Sequence, residues 1–160
     1  MPSILFVCTG NHYRSPIAAA AFRRQLDQHG LADQWAVGSA GTWTTPDQPP
    51  FPNAVRVARE LGLDIHDHMT RMVTADELAK YDLVLVMEQG HKEAITYEFS
   101  LPGRRVSLLS NVVDQVEYDI SDPADPRVDA MEVASELCDL IQRGFSEICR
   151  LAEVNCSERS

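Results

Sequence analysis

In the stretch ILFVCTGNHYRSP, residues 4–16, a thiol and a guanidinium stand six positions apart, Cys8 and Arg14, with Ser15 and Pro16 directly after them. A cysteine is useful as a nucleophile only as its thiolate, so its surroundings must favour negative charge. Arginine offers a planar fork of donors that matches two oxygens of a tetrahedral oxyanion and can follow the charge as phosphorus becomes equatorial in a transition state. A serine hydroxyl beside the sulfur can donate to it, steadying the thiolate and easing its later departure. Types and spacing therefore point to nucleophilic chemistry on a bound oxyanion.

Such chemistry needs a turn that holds the groups together. Ile4 to Val7 is a short continuous apolar run, as expected of a buried parallel strand. From Ser15 to about His29 the spacing turns helical, with Ile17, Ala18, Ala21, Phe22 and Leu26 on one stripe and Gly30 at the stop. Pro16 suits the first helical turn, where its missing N–H costs nothing. Between strand and helix the amides of residues 9–15 must converge, and Gly10 and Asn11 are the residues here that best tolerate a left-handed backbone. A nest of amides at a helix N-terminus is an anion site, and Cys8 is expected on its rim.

Beyond this unit, Trp35 to Ala40 is expected as a strand, Thr44 to Pro52 as a Pro-rich loop, and Asn53 to Leu61 as a helix closed by Gly62. Thr74 and Glu77 have capping-box spacing at the head of a helix to Lys80, and Leu83 to Met87 is the clearest strand. A helix near His91 to Phe99, a weaker strand at Arg105 to Leu109, an acidic loop and a long helix from about Val128 to Leu151 follow. The alternation predicts an α/β fold of three αβα layers, a parallel sheet with helices on both faces. One domain over residues 1–152 and a C-terminal tail over 153–160 are expected, with ligands at the carboxyl ends of the strands.

Composition narrows the classes. The 160 residues carry 44% apolar and 24% charged side chains, and no stretch approaches the roughly 20 apolar residues of a membrane span. The N-terminus shows no secretory pattern, and the four cysteines, Cys8, Cys138, Cys149 and Cys156, form no compact framework, which points to a cytoplasmic protein with reduced thiols. A net charge of −10 argues against nucleic acid as a partner, and nine acids between Asp114 and Asp139 against one base, Arg127, suggest a solvated acidic face. A Walker loop is excluded by the single glycine and absent lysine of the turn. Metal binding by Cys8 and His12 lacks further nearby ligands.

VCTGNHYRSP, SAGT (residues 39–42), HMTR (68–71), DLVLVME (82–88) and the DP pair at Asp122 and Pro123 follow one another in an order that closely resembles the low-molecular-weight protein-tyrosine phosphatase family, over nearly the whole chain. The resemblance implies a four-stranded parallel sheet of flavodoxin-like type, catalysis without metal or cofactor, and a phosphorylated protein or small phosphate monoester as substrate, with inorganic phosphate released. It also implies Cys8 as nucleophile, Arg14 as phosphate clamp and Asp122 as general acid on a loop, and a monomer or weak dimer. Thr9, Gly10, His12 and Tyr13 fall within the phosphate loop, while Asn11, Ser15, Ser39 and His68 match the residues that brace it. Spacing alone leaves Asp119 and the second DP pair at Asp125 as rivals to Asp122.

Two departures from the pattern stand out. Tyr13 replaces the family's second loop cysteine, so the protective disulfide is lost and peroxide should carry Cys8 further up the oxidation ladder; Tyr13 is either a rim contact or packing. Ala124 and Asp125 follow the DP pair where many relatives place aromatic residues, which weakens a phosphotyrosine preference and leaves phosphoarginine hydrolysis open, with His12 positioned to influence the choice. Trp43 is either a pocket wall or packing, and Glu88 either a substrate contact or solvated. An arsenate reductase would need relay cysteines that residues 76–100 lack. A non-enzymatic phosphopeptide-binding module would not need nucleophile, clamp, serine and acid together.

Overall fold

Four short strands, β1 (Ser3–Cys8), β2 (Ala36–Gly41), β3 (Leu83–Val86) and β4 (Val106–Leu108), form one parallel sheet in the order β2-β1-β3-β4 in the computed structural model, which describes residues 1–160. The chain passes from β1 to β2 on one side and then crosses to β3 on the other, so the order reverses beside β1. That is the position at which open α/β sheets bind ligands. Register aligns the strand ends there, with Cys8 opposite Gly41 and Val7 between Ala40 and Val86.

Six helices complete the layers: α1 (Arg14–Gln28), α2 (Pro52–Glu60), α3 (Ala75–Ala79), α4 (Gln89–Phe99), α5 (Leu109–Asp114) and α6 (Ala130–Arg159). Alternating strand residues face opposite ways, so Ile4, Phe6, Leu83 and Leu85 join the core under α1, α2, α5 and α6. Leu5, Val7, Val84 and Val86 join a smaller core with Leu78 of α3 and Ile95 of α4. Both sheet faces are covered, which is why the strands read as unbroken apolar runs. Phe22 of α1 links the larger core, its ring centroid 5.8 Å from those of Phe6 and Trp35 and 5.4 Å from that of Phe145.

The expected elements are all present, with three differences. The acidic loop is preceded by α5, whose six residues are too few to show a helical period but bury Leu109 and Val112. The last helix runs through Arg159, so residues 153–159, expected as a tail, continue it. Tertiary contacts explain this: buried Asn155 donates to the carbonyls of Asp82 and Arg104, and Arg159 pairs with Asp82 at 2.7 Å. At α3 only half of the capping box forms, Thr74 Oγ1 accepting from Glu77 N at 3.1 Å, because the Glu77 carboxylate is taken by Arg71 and Lys80.

Candidate active site

The turn from β1 to α1 closes around Asn11, the one residue in it with a left-handed backbone, φ +60°; Gly10 does not take that conformation. Asn11 is fully buried and every polar group it offers is used. Its Nδ2 donates to Ser15 Oγ at 2.8 Å and Ser39 Oγ at 3.0 Å, its Oδ1 accepts from Arg71 N at 2.8 Å, and its carbonyl is 2.7 Å from His68 Nε2. Burial lowers the pKa of His68, which favours the neutral ring that can donate one proton to that carbonyl. Neighbouring strand ends hold the same turn, Thr42 N donating to Cys8 O and Trp43 N to Thr9 O, both at 3.0 Å. Gly41 allows this approach, since a Cβ there would lie 2.5 Å from the Thr9 carbonyl. Asn11, Ser15, Ser39 and His68 are thus brought together around the loop.

Cys8 is at the floor of this arrangement rather than on its rim. Only 2% of the residue is exposed, and it lines a cavity of ≈170 Å³ with Thr9, Asn11, Arg14, Phe51 and Asp122. At ~30 Å³ per water that is room for about five or six waters, the scale of a phosphoryl group and the start of its leaving group. Asn11 N donates to the sulfur at 3.3 Å, and Ser15 Oγ is 3.0 Å away. Ser15 Oγ accepts from the Asn11 amide, and its own proton has two acceptors in reach, the sulfur at 3.0 Å and the more distant Ala40 carbonyl at 3.5 Å.

Arg14, 1% exposed, is the most deeply placed charge in the molecule. Its Nη1 donates to Glu88 Oε2 and to the Ile120 carbonyl, each at 2.7 Å, and its Nη2 stands 3.3 Å from Asp122 Oδ2. Glu88 therefore grips the guanidinium instead of reaching outward to a substrate. A buried guanidinium without such a partner would be costly, so Glu88 both neutralises and aims it. The three candidate acids separate on geometry. Asp119 accepts from Gln89 N at the head of α4, Asp125 is engaged by Arg127, and Asp122, whose side chain is 42% exposed, faces Arg14 across the cavity.

The remaining expectations divide. Tyr13 lines the cavity and is also packed: the residue is buried, its hydroxyl donates to the Ala130 carbonyl at 2.5 Å, and burial pushes the phenol up to about 12. Trp43 lies outside the Cys8 cavity, 80% exposed on an adjoining groove. The aromatic wall is instead Phe51, stacked on His12 with centroids 4.3 Å apart and an interplanar angle of 6°. Ala124 lines the cavity as well. All four cysteines are free, and the three besides Cys8 lie in α6; burial pushes Cys149 up to about 12 and raises Cys138. No three His, Cys, Asp or Glu side chains are grouped to hold a metal ion.

Sequence reasoning missed Phe51, the Ile120 carbonyl and His91. Glu88 N donates to His91 Nδ1 at 3.1 Å, which leaves the ring proton on Nε2, 2.8 Å from Thr9 Oγ1. Burial, aided by the Arg14 charge, brings the His91 pKa down to about 4, consistent with a neutral ring. The spacing Glu88-x-x-His91 at a helix start, a capping box with histidine in the third place, is the signal that could have found it.

A thiol at a strand-to-helix turn, with two donors on its sulfur and a buried arginine over the same cavity, defines a cysteine-dependent phosphatase. The comparisons give its family. The family model described as low molecular weight phosphotyrosine protein phosphatase matches residues 3–158, and the chain belongs to that family. The chain is 34% identical over 142 residues to the probable low molecular weight protein-tyrosine-phosphatase EpsP of Ralstonia nicotianae, covering 89% of this chain and 90% of that protein. It is 32% identical over 141 residues to the protein-arginine-phosphatase of Bacillus subtilis, covering 88% and 92%. A crystal structure of the low molecular weight protein tyrosine phosphatase from T. tengcongensis superposes with a TM-score of 0.83 at 30% identity, over 92% of this chain and 99% of that one.

Proposed function

We propose that the protein hydrolyses phosphotyrosine in proteins, with Cys8 as nucleophile, Arg14 as clamp and Asp122 as acid and then base. The observation that carries this reading is that Cys8, Arg14 and Asp122 line one cavity while Asp119 and Asp125 are engaged elsewhere. The Cys8 thiolate attacks phosphorus in line, and Arg14 and the loop amides hold the equatorial oxygens as charge develops on them. Asp122 gives its proton to the leaving oxygen, producing a cysteinyl-phosphate and a free phenol. Asp122, now a carboxylate, takes a proton from water as the water attacks phosphorus, and the Cys8 thiolate departs, releasing inorganic phosphate. Ser15 and Asn11 N favour that departure by donating to the sulfur.

The Phe51–His12 stack supports an aryl leaving group, since it offers a flat apolar wall to a ring. Ala124 on the lining supports a second reading, phosphoarginine, because a small side chain there leaves the leaving group without a second aromatic face. No second thiol lines the cavity, which favours hydrolysis over a relay reductase, and four unpaired cysteines suit a reducing cytoplasm. The deciding measurement is kcat/KM on matched phosphotyrosine, phosphoserine and phosphoarginine peptides, without added thiol and with Cys8→Ser as control. Phosphotyrosine is expected to lead by about tenfold or more, roughly 1.4 kcal/mol. A lead for phosphoarginine selects the second reading, and turnover by Cys8→Ser removes both.

A further inference from the structure

Beside the Cys8 cavity runs a second concavity of ≈740 Å³ lined by Gly10, His12, Trp43, Thr45, Gln48 and Met72 among others. The two share Gly10 and His12, so a phosphoryl group seated over Cys8 leaves its own chain at the mouth of this groove. Trp43 stands in it 80% exposed, while the other tryptophan, Trp35, is 8% exposed in the core.

The groove wall is built. Trp43 N is bonded to Thr9 O, so the residue moves with the phosphate loop. Thr70, fully buried, then fastens the segment after it: Oγ1 donates to Thr45 O at 2.6 Å and accepts from Gln48 N at 2.9 Å, its amide donates to Gln48 O at 2.8 Å, and its carbonyl accepts from Asp47 N at 2.9 Å. Within that clamp Asp47 is held at φ +62°, a conformation that persists only where surrounding bonds over-determine it. A solvated connector needs none of this. A platform that must present a tryptophan in fixed relation to Cys8 does.

We propose that this groove binds the stretch of substrate polypeptide flanking the phosphorylated residue, with a lysine or arginine laid on the Trp43 indole. The inference rests on the phosphatase reading and names the substrate that reading leaves open. Thr45 and Gln48 offer donors and acceptors to an extended main chain, and the lining carries no carboxylate, lysine or arginine to disturb that pairing, His12 being stacked on Phe51 with its Nδ1 2.9 Å from the Pro49 carbonyl. The indole face attracts a cation. Asp47 in the same loop and the net charge of −10 add to that attraction and repel an acidic flank.

The test compares kcat/KM for p-nitrophenyl phosphate and for two short phosphotyrosine peptides, identical except for arginine or glutamate in the flank, in wild type, Trp43→Ala and Trp43→Phe. Wild type should favour the arginine peptide by about tenfold, and Trp43→Ala should lower the ratio of arginine peptide to p-nitrophenyl phosphate by about five- to tenfold, with Trp43→Phe keeping most of it. In a Cys8→Ser chain the arginine peptide should change the fluorescence of Trp43. A ratio in Trp43→Ala within about twofold of wild type, or a glutamate peptide used equally well, overturns the proposal. Should wild type hydrolyse none of the three substrates, the phosphatase reading fails and the fluorescence titration still decides the groove: a response supports it and silence removes it.

Discussion

The two halves of the site are held in opposite ways. Within residues 8–15, Cys8, Asn11, Tyr13, Arg14 and Ser15 are buried, Asn11 and Ser15 at 0% exposure, and side chains of the turn bond to Ser39, Arg71, His91 and Glu88 from distant parts of the chain. Residues 121–128 bond only among themselves: Ala124 N to Asp122 Oδ1, Arg127 N to Asp125 Oδ1, Asp125 N to Asp122 O and Val128 N to Asp125 O. Their one tie to the loop is the Asp122–Arg14 ion pair. A segment with so few long-range bonds opens at low cost, whereas the phosphate loop cannot shift without breaking several buried polar contacts. The half that receives developing charge is preorganised, because donors that must reorganise lose their advantage. In the proposed mechanism the other half delivers a proton and must meet leaving groups of different shape, and it is the half with few long-range bonds.

The strongest way to break this contrast is to remove the acid. Asp122→Asn should lower kcat/KM, which reports the step that expels the leaving group, by about 10²–10⁴-fold on phenyl phosphate, a poor leaving group, and by much less on p-nitrophenyl phosphate, which departs with little help. Asp125→Asn should stay within about twofold of wild type on both, because its carboxylate serves Arg127. If the phenyl phosphate loss follows Asp125 instead, the division of the two acids is wrong. Full activity in both variants would place the proton donor elsewhere.

The tight half was the legible one. Cys8, Arg14 and Ser15 are tied by chain spacing, and a strand, a left-handed residue and a proline-started helix are local signals, so the turn could be built from sequence. Strand and helix alternation fixed the layers for the same reason. What escaped depends on contacts between distant residues. His91 and Thr9 are 82 positions apart, and nothing local marks Phe51 as a wall, since it becomes one only by stacking on His12. Trp43 looked equally like pocket or packing because its place follows from its bond to Thr9, 34 positions away, and from Thr70, which fastens the segment after it. The far end of α6 read as a tail because its last turns are polar; Asn155 and Arg159 spend that polarity on Asp82.

A smaller effect sharpens the electrostatic side of the contrast. His91 feels the charges of Arg14, Glu88, Asp119 and Asp122, and its folded pKa of about 4 lies below the ordinary 6.5. As pH falls through 6.5 the unfolded chain takes up the imidazole proton first, so stability is lost between about 6.5 and about 4 and levels off below. That loss is on the order of 3 kcal/mol at most. The physical cause is burial of the ring, with the Arg14 charge second; Nδ1, which accepts from Glu88 N, also cannot do so once protonated. His91→Gln should flatten the denaturation midpoint against pH across this window, with the carboxylates and His68 common to both chains. Equal slopes would mean that the ring is already charged or that it does not resist the proton.

The least disruptive change tests where the boundary between the halves falls. Tyr13 lies in the phosphate loop, yet its hydroxyl bonds to Ala130 O at the start of α6, just beyond the loose segment. If that bond anchors the loose half and the Asn11 contacts alone fix the tight half, Tyr13→Phe should cost about 1 kcal/mol of stability, the net worth of one hydrogen bond, with the ring still filling its place. Alkylation of Cys8 by iodoacetate should proceed within about twofold of the wild-type rate, because the donors to the sulfur come from Asn11 and Ser15. A large change in alkylation with little change in stability would move the boundary, showing that the phosphate loop depends on α6 for its shape and that the two halves are one mechanical unit.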